Sequence, residues 1–251
     1  MELGSLKTLS IFLVLIVAVV AGWIPFKKKL NSLKGHDFPR GEALASGIFL
    51  GAGLIHMLGD AADGFSKAGF DYPMAFLLCG ISFLALLLLE HWGTEVKHHE
   101  GGSSTTIAVL ATVMLAIHSL FAGAALGISQ QTGAVVLILI AILAHKWAAS
   151  FSLAIQINKS KLSFNTGLTC FIIFVLMTPL GILLGNGLIH SAIGGTLIKP
   201  VFLALAAGTF LYIGTLHGLK RSVMVERCCN LRDFSFVILG FALMAVVAIW
   251  T

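Results

Sequence analysis

The forty residues Ile117–Gln156, IHSLFAGAALGISQQTGAVVLILIAILAHKWAASFSLAIQ, decide the fold class. They hold two apolar runs of helix length separated by the polar turn Ser129-Gln130-Gln131-Thr132. A connection this short makes the two helices antiparallel neighbours. His118 stands about 13 residues before the middle of the turn and His145 about 14 after it, so at ~1.5 Å per residue both lie roughly 20 Å from it. The spacing therefore predicts that His118, His145 and Lys146 share one depth near the middle of an apolar layer. An ionisable group at the centre of a bilayer costs about 2.5–3.5 kcal/mol on insertion scales, which makes each of them a functional candidate.

The rest of the chain has the same character. Of 251 residues, 58% are hydrophobic and 11% charged, and the mean hydropathy is +0.99. These values exclude an ordinary soluble domain and predict a polytopic membrane protein. Eight apolar segments follow one another, at roughly 8–26, 40–62, 72–91, 105–128, 133–156, 164–187, 198–219 and 232–250. The expected fold class is all-α, an eight-transmembrane-helix bundle forming a single domain over 1–251. The first run is followed by Lys27-Lys28-Lys29, a stop-transfer pattern, and is read as a membrane helix instead of a cleaved leader. Pro39, Pro73 and Pro200 stand near segment starts, whereas Pro179 lies inside the sixth and is expected to kink it.

Orientation follows from Lys and Arg. Alternate loops, beginning with 27–40, carry twelve of them; the opposite loops carry only Lys7, Lys67 and Lys199. Both termini and the Ser129–Thr132 turn are expected outside the cytoplasm. Short loops suggest a plasma membrane of the bacterial inner type. The basic residues line membrane loops, so the net charge of +5 gives no reason to expect nucleic acid. The four cysteines, at 79, 170, 228 and 229, show neither zinc-finger nor disulfide spacing.

Further polar residues interrupt the apolar runs. His56 and Asp60 are i and i+4, on one helical face, either as an outer cation site or as a hydrogen-bonded pair at a helix end. His145, Ala149, Ser152 and Gln156 form one stripe leading inward. Lys146 has two readings: it stands where a second cation would otherwise bind, or it pairs with an acid such as Asp60. His217 lies near the inner end of the seventh segment. His98-His99-Glu100 is either an inner-side metal trap or a solvated loop. Gly47/Gly51, Gly123/Gly127 and Gly181/Gly185 mark faces where helices approach closely. Neutral imidazole suits zinc and other borderline divalent ions.

These residues resemble the ZIP (Zrt-/Irt-like) family of divalent metal transporters, in order and over nearly the whole chain. The family's G-[VI]-F-L-x-x-G-x-x-H-x-x-x-[DE] pattern is matched from Gly47 to Asp60. Its His-Ser-x-x-Glu-Gly-x-x-x-Gly is matched by His118, Ser119, Gly123 and Gly127. His145-Lys146 and the block Ala206–Tyr212 (AAGTFLY) also correspond. Where the family has Glu after each central histidine, this chain has Ala122 and Ala149, and His217 stands where Glu is common. The resemblance implies import of a divalent metal, most readily zinc, by one helix bundle sliding against another. The expected metal-site residues are His118, His145, Ser119, His56, Asp60 and His217, with Lys146 limiting charge and Ser152 and Gln156 along the path. It implies no resident cofactor and no enzymatic activity, with the ion and the lipid bilayer as partners and homodimerisation left open. Two other readings are a transport-inactive sensor or partner, and an intramembrane zinc hydrolase using His56, Asp60, His118, His145 and Ser119.

Overall fold

The computed structural model describes residues 2–27, 39–98, 104–160, 162–189, 197–216 and 231–249. Among these residues the structure is all-helical. The helices are α1 (Leu3–Lys27), α2 (Pro39–Lys67), α3 (Met74–His98), α4 (Ser104–Ile128), α5 (Thr132–Lys159), α6 (Phe164–Leu188), α7 (Ile198–Tyr212) and α8 (Leu231–Val247). Seven are long and apolar enough to cross a membrane, α7 being prolonged to Leu216. The eighth, α8, has 17 residues. Pro39 opens α2, Pro73 immediately precedes α3 and Pro200 lies in the first turn of α7, where a missing N–H breaks no ladder. Helix α6 runs on through Pro179.

The helices sort into a central and a peripheral set. In α2, α4, α5 and α7 more than half of the apolar stretch is buried, against 28% in α1 and 22% in α3. The peripheral helices present rows of exposed apolar side chains, such as Phe12, Ile16 and Val20 on α1 and Leu176, Leu180 and Leu183 on α6. A water-soluble protein would not expose such continuous bands. They are the surface that lipid covers, so this is an integral multi-pass membrane protein.

Each peripheral helix packs on a central one: α1 on α5, α6 on α4, α8 on α2 and α3 on α7. Two four-helix groups result, α1/α4/α5/α6 and α2/α3/α7/α8, and they meet chiefly where α4 crosses α7. The glycine spacings explain the closest approaches. A Cβ on Gly123 or Gly181 would collide with the backbone of the facing helix, at Thr178 in α6 and Leu120 in α4 respectively. Gly47 of α2 and Gly240 of α8 abut in the same way. Apolar side chains gain little by leaving lipid for one another, so this close packing holds membrane helices together.

One local feature was not expected from the sequence. Residues Ala52–Met57 of α2 form a π turn, in which the Leu58 N–H bonds to the Gly53 carbonyl five residues back. His56 lies within this widened turn. Single π turns of this kind recur at functional sites.

Candidate metal site

His118 on α4 and His145 on α5 are both buried at 2% exposure, with ring centroids 5.6 Å apart and planes inclined at 75°. The antiparallel pairing over a short turn thus brings them together at one depth. A zinc–nitrogen bond of about 2.0–2.1 Å sets an ion roughly 3 Å from each ring centroid, so two imidazoles on one ion stand roughly 5–6 Å apart. The observed separation falls in that range.

The His118 ring is held on two sides. Phe210 of α7 stacks on it at a centroid distance of 3.4 Å and an interplanar angle of 11°, and meets His145 edge-on at 4.9 Å. His118 Nδ1 lies 2.9 Å from Thr209 Oγ1 and 3.2 Å from the Ala206 carbonyl. A carbonyl oxygen only accepts, so Nδ1 is the protonated nitrogen. Nε2 then carries the lone pair, and it is buried without a hydrogen-bond partner. His145 interacts with the Ala141 carbonyl one turn back on α5, although its Nδ1 makes no hydrogen bond of ordinary geometry. Buried polar atoms are nearly always paired, so the orphaned Nε2 of His118 beside the His145 ring calls for an explanation.

Lys146 and Ser119 form a separate arrangement. The Lys146 amine donates to Ser119 Oγ at 3.0 Å and to Thr178 Oγ1 at 2.9 Å, and lies 3.9 Å from the centroid of the Phe174 ring. The expected alternative of an ion pair with Asp60 is therefore incorrect: two hydroxyls and an aromatic face satisfy the ammonium, and they come from α4 and α6. Ser119, expected as an auxiliary ligand, accepts a hydrogen bond from that lysine.

His56 and Asp60 are together, as their spacing predicts, with Nδ1 and Oδ2 3.4 Å apart. Asp60 also lines a cavity of about 680 Å³ at the end of the bundle that carries the Ser129 turn, with Asp63, Lys67, Gln131 and Lys199 on its walls. Lys67 is paired with Asp63 there. Ser152 is buried and Gln156 half-buried on α5. His217, His99 and Glu100 lie outside the described residues, as do Cys228 and Cys229. Ala122 and Ala149 are both buried. Among the described residues, no three His, Cys, Asp or Glu side chains gather into a metal-binding group. The set of three histidines and a carboxylate that a zinc hydrolase would need does not form there.

Thr209 and Phe210 entered the sequence comparison only within the block Ala206–Tyr212, without a role at the site, and Phe174 and Thr178 were not expected there. A signal for two of them existed: Thr209 and Thr178 are hydroxyls in otherwise apolar helices.

Comparison with known proteins gives a consistent picture. A family model described as ZIP Zinc transporter matches residues 5–106 and 99–248. Zinc transporter ZIP2 of Mus musculus is 28% identical over 82% of this chain and 83% of its own length. Zinc transporter ZIP2 of Homo sapiens is 25% identical over 99% of both. Zinc transporter ZIP1 of Bos taurus is 28% identical over 81% of this chain and 75% of its own length. With the family pattern matched from the first helix to the last, the chain belongs to the ZIP zinc transporter family.

Proposed function

We propose that this protein moves a divalent metal ion, zinc first among them, across a membrane toward the cytoplasm, and that His118 and His145 are its central ligands. One observation carries the reading: an unpartnered, buried Nε2 on His118 beside the His145 ring. Relatives named as zinc transporters support the choice of ion, and the family comprises transporters, not enzymes.

The chain acts as a single eight-span domain with both termini outside, so the cavity lined by Asp60 faces the exterior. There Asp60 and His56 receive the cation. Beyond the central histidines, Ser152, Gln156 and then His217 lead it inward. Lys146 restricts the centre to one ion through the positive charge it can carry next to His145 on α5. Transport proceeds by displacement of α1/α4/α5/α6 relative to α2/α3/α7/α8. With carboxylates replaced by Ala122 and Ala149, the ion is held loosely, which suits a carrier that must also release its cargo.

A second reading, a transport-inactive relative that senses metal or binds a partner, draws on the small ligand set among the described residues. Zinc flux into proteoliposomes separates the two. Flux that His118→Ala/His145→Ala abolishes supports transport through the two-histidine site. No flux in the parent protein, with zinc still bound, favours the inactive relative.

A further inference from the structure

Three features of the His118 environment lead beyond the identity of the ligands. First, the stack on Phe210 fixes the plane of the imidazole but not which way round it lies. A half-turn about the terminal side-chain bond leaves the plane unchanged and exchanges Nδ1 with a carbon. Secondly, among the described residues only the contacts of Nδ1, with Thr209 Oγ1 at 2.9 Å and the Ala206 carbonyl at 3.2 Å, distinguish the two orientations. Thirdly, Thr209 Oγ1 itself donates to the Ala206 carbonyl at 2.6 Å, so its lone pairs are turned outward to accept from the ring.

We propose that Thr209, acting with the Ala206 carbonyl, is a positioning residue that holds the His118 imidazole in its Nδ1–H form and so presents the Nε2 lone pair to the metal. A ligating histidine needs its other nitrogen fixed by an acceptor, because that bond sets both tautomer and ring orientation. Thr209 meets the requirement from α7, whereas His118 sits on α4, in the other four-helix group. The ligand is thus prepared only while the two groups hold the alignment seen here. A relative shift of about 1 Å stretches a 2.9 Å bond beyond hydrogen-bonding range. The ring is then free to turn its lone pair away, which favours release. This inference rests on the assignment of His118 as a metal ligand, and the experiment separates the two.

The alternative is that Thr209 only closes a back-bond within its own helix. Three variants decide, each reconstituted as full-length protein and measured for zinc concentration dependence of uptake and for thermal stability. Thr209→Val keeps the shape and removes the acceptor; Thr209→Ser keeps the acceptor; His118→Ala removes the ligand. Loss of an outer partner costs metal affinity about 10–100-fold. Since the Ala206 carbonyl remains, about a tenfold rise in KM is expected for Thr209→Val, with recovery in Thr209→Ser. In metal-free protein, imidazole nitrogen chemical shifts should show one His118 tautomer in the parent and in Thr209→Ser, and a mixture in Thr209→Val. If His118→Ala changes KM while Thr209→Val changes neither KM nor tautomer, the positioning role is wrong. If His118→Ala itself leaves KM unchanged, the ligand assignment fails first.

Discussion

Replacing Lys146 by Met tests whether a charge on this buried amine acts on the cargo. The amine is 2% exposed and has no carboxylate partner among the described residues; Ser119 Oγ, Thr178 Oγ1 and the Phe174 face surround it. Consecutive helical side chains diverge by about 100°, which puts the ammonium on the order of 10 Å from an ion held by its neighbour His145. At an effective dielectric of about 20, a single charge repels a divalent ion at that distance by about 3 kcal/mol. Each 1.4 kcal/mol is a factor of ten, so the full effect is about a hundredfold. The two hydroxyls and the aromatic ring absorb part of it, leaving a fall in KM of about tenfold in Lys146→Met. Met roughly keeps the volume, and the two hydroxyls lose a shared donor at a cost of about 1 kcal/mol each, offset by removal of a buried ammonium. The assay is zinc uptake against concentration in proteoliposomes, with Lys146→Arg retaining the charge as control. An unchanged KM in Lys146→Met, with normal melting temperature, refutes the electrostatic argument.

Three further outcomes are expected. Gly181→Leu sets side-chain atoms against the Leu120 carbonyl and Gly123 of α4, so overpacking of about 1–3 kcal/mol should lower the melting temperature in detergent. Gly80→Leu, which meets open space, should leave it unchanged, and equal melting of the two would contradict the packing argument. Glu42 and Lys159 join α2 to α5 through a 2.7 Å ion pair that is largely buried. A double-mutant cycle with Glu42→Gln and Lys159→Gln should give a coupling of about 0.5–3 kcal/mol, and strict additivity would show the pair to be idle. Lys7→Met removes a donor that bridges the Gly127 carbonyl at 2.6 Å and Asn186 Oδ1 at 2.9 Å, tying α1 to the ends of α4 and α6. It should destabilise by about 1–3 kcal/mol, and an unaltered unfolding midpoint would show that water replaces the bond.

Much of this architecture was legible because a bilayer imposes simple rules. Apolar length gave the helices, and the shortness of the Ser129–Thr132 turn gave the pairing and common depth of His118 and His145. Glycine spacing marked close-packing faces on α2, α4 and α6, though not which helix each would meet. What escaped depends on partners distant in sequence. Nothing near Lys146 shows that Thr178 and Phe174 will receive it, so Asp60 looked a fair partner on charge alone. The acceptor on His118 comes from Thr209, 91 positions away. The π turn at Ala52–Met57 was hidden for a different reason: it is one hydrogen-bond register within an unbroken helix, and the composition of AGLIHM does not separate five-residue from four-residue bonding.

The pairing of peripheral with central helices has a consequence for biogenesis. Gly47 of α2 finds its cover in Val237 and Phe241 of α8, far along the chain from it. At synthesis rates of about 5–20 residues per second, the intervening stretch of roughly 190 residues takes on the order of 10–40 s to emerge. Throughout that interval α2, with His56 and Asp60 already in place, must wait beside other helices or lipid with its glycine face uncovered. Chains cut short before α8 should therefore insert their early helices and yet remain targets for membrane proteases, because the group that would receive the ion cannot close until α8 arrives.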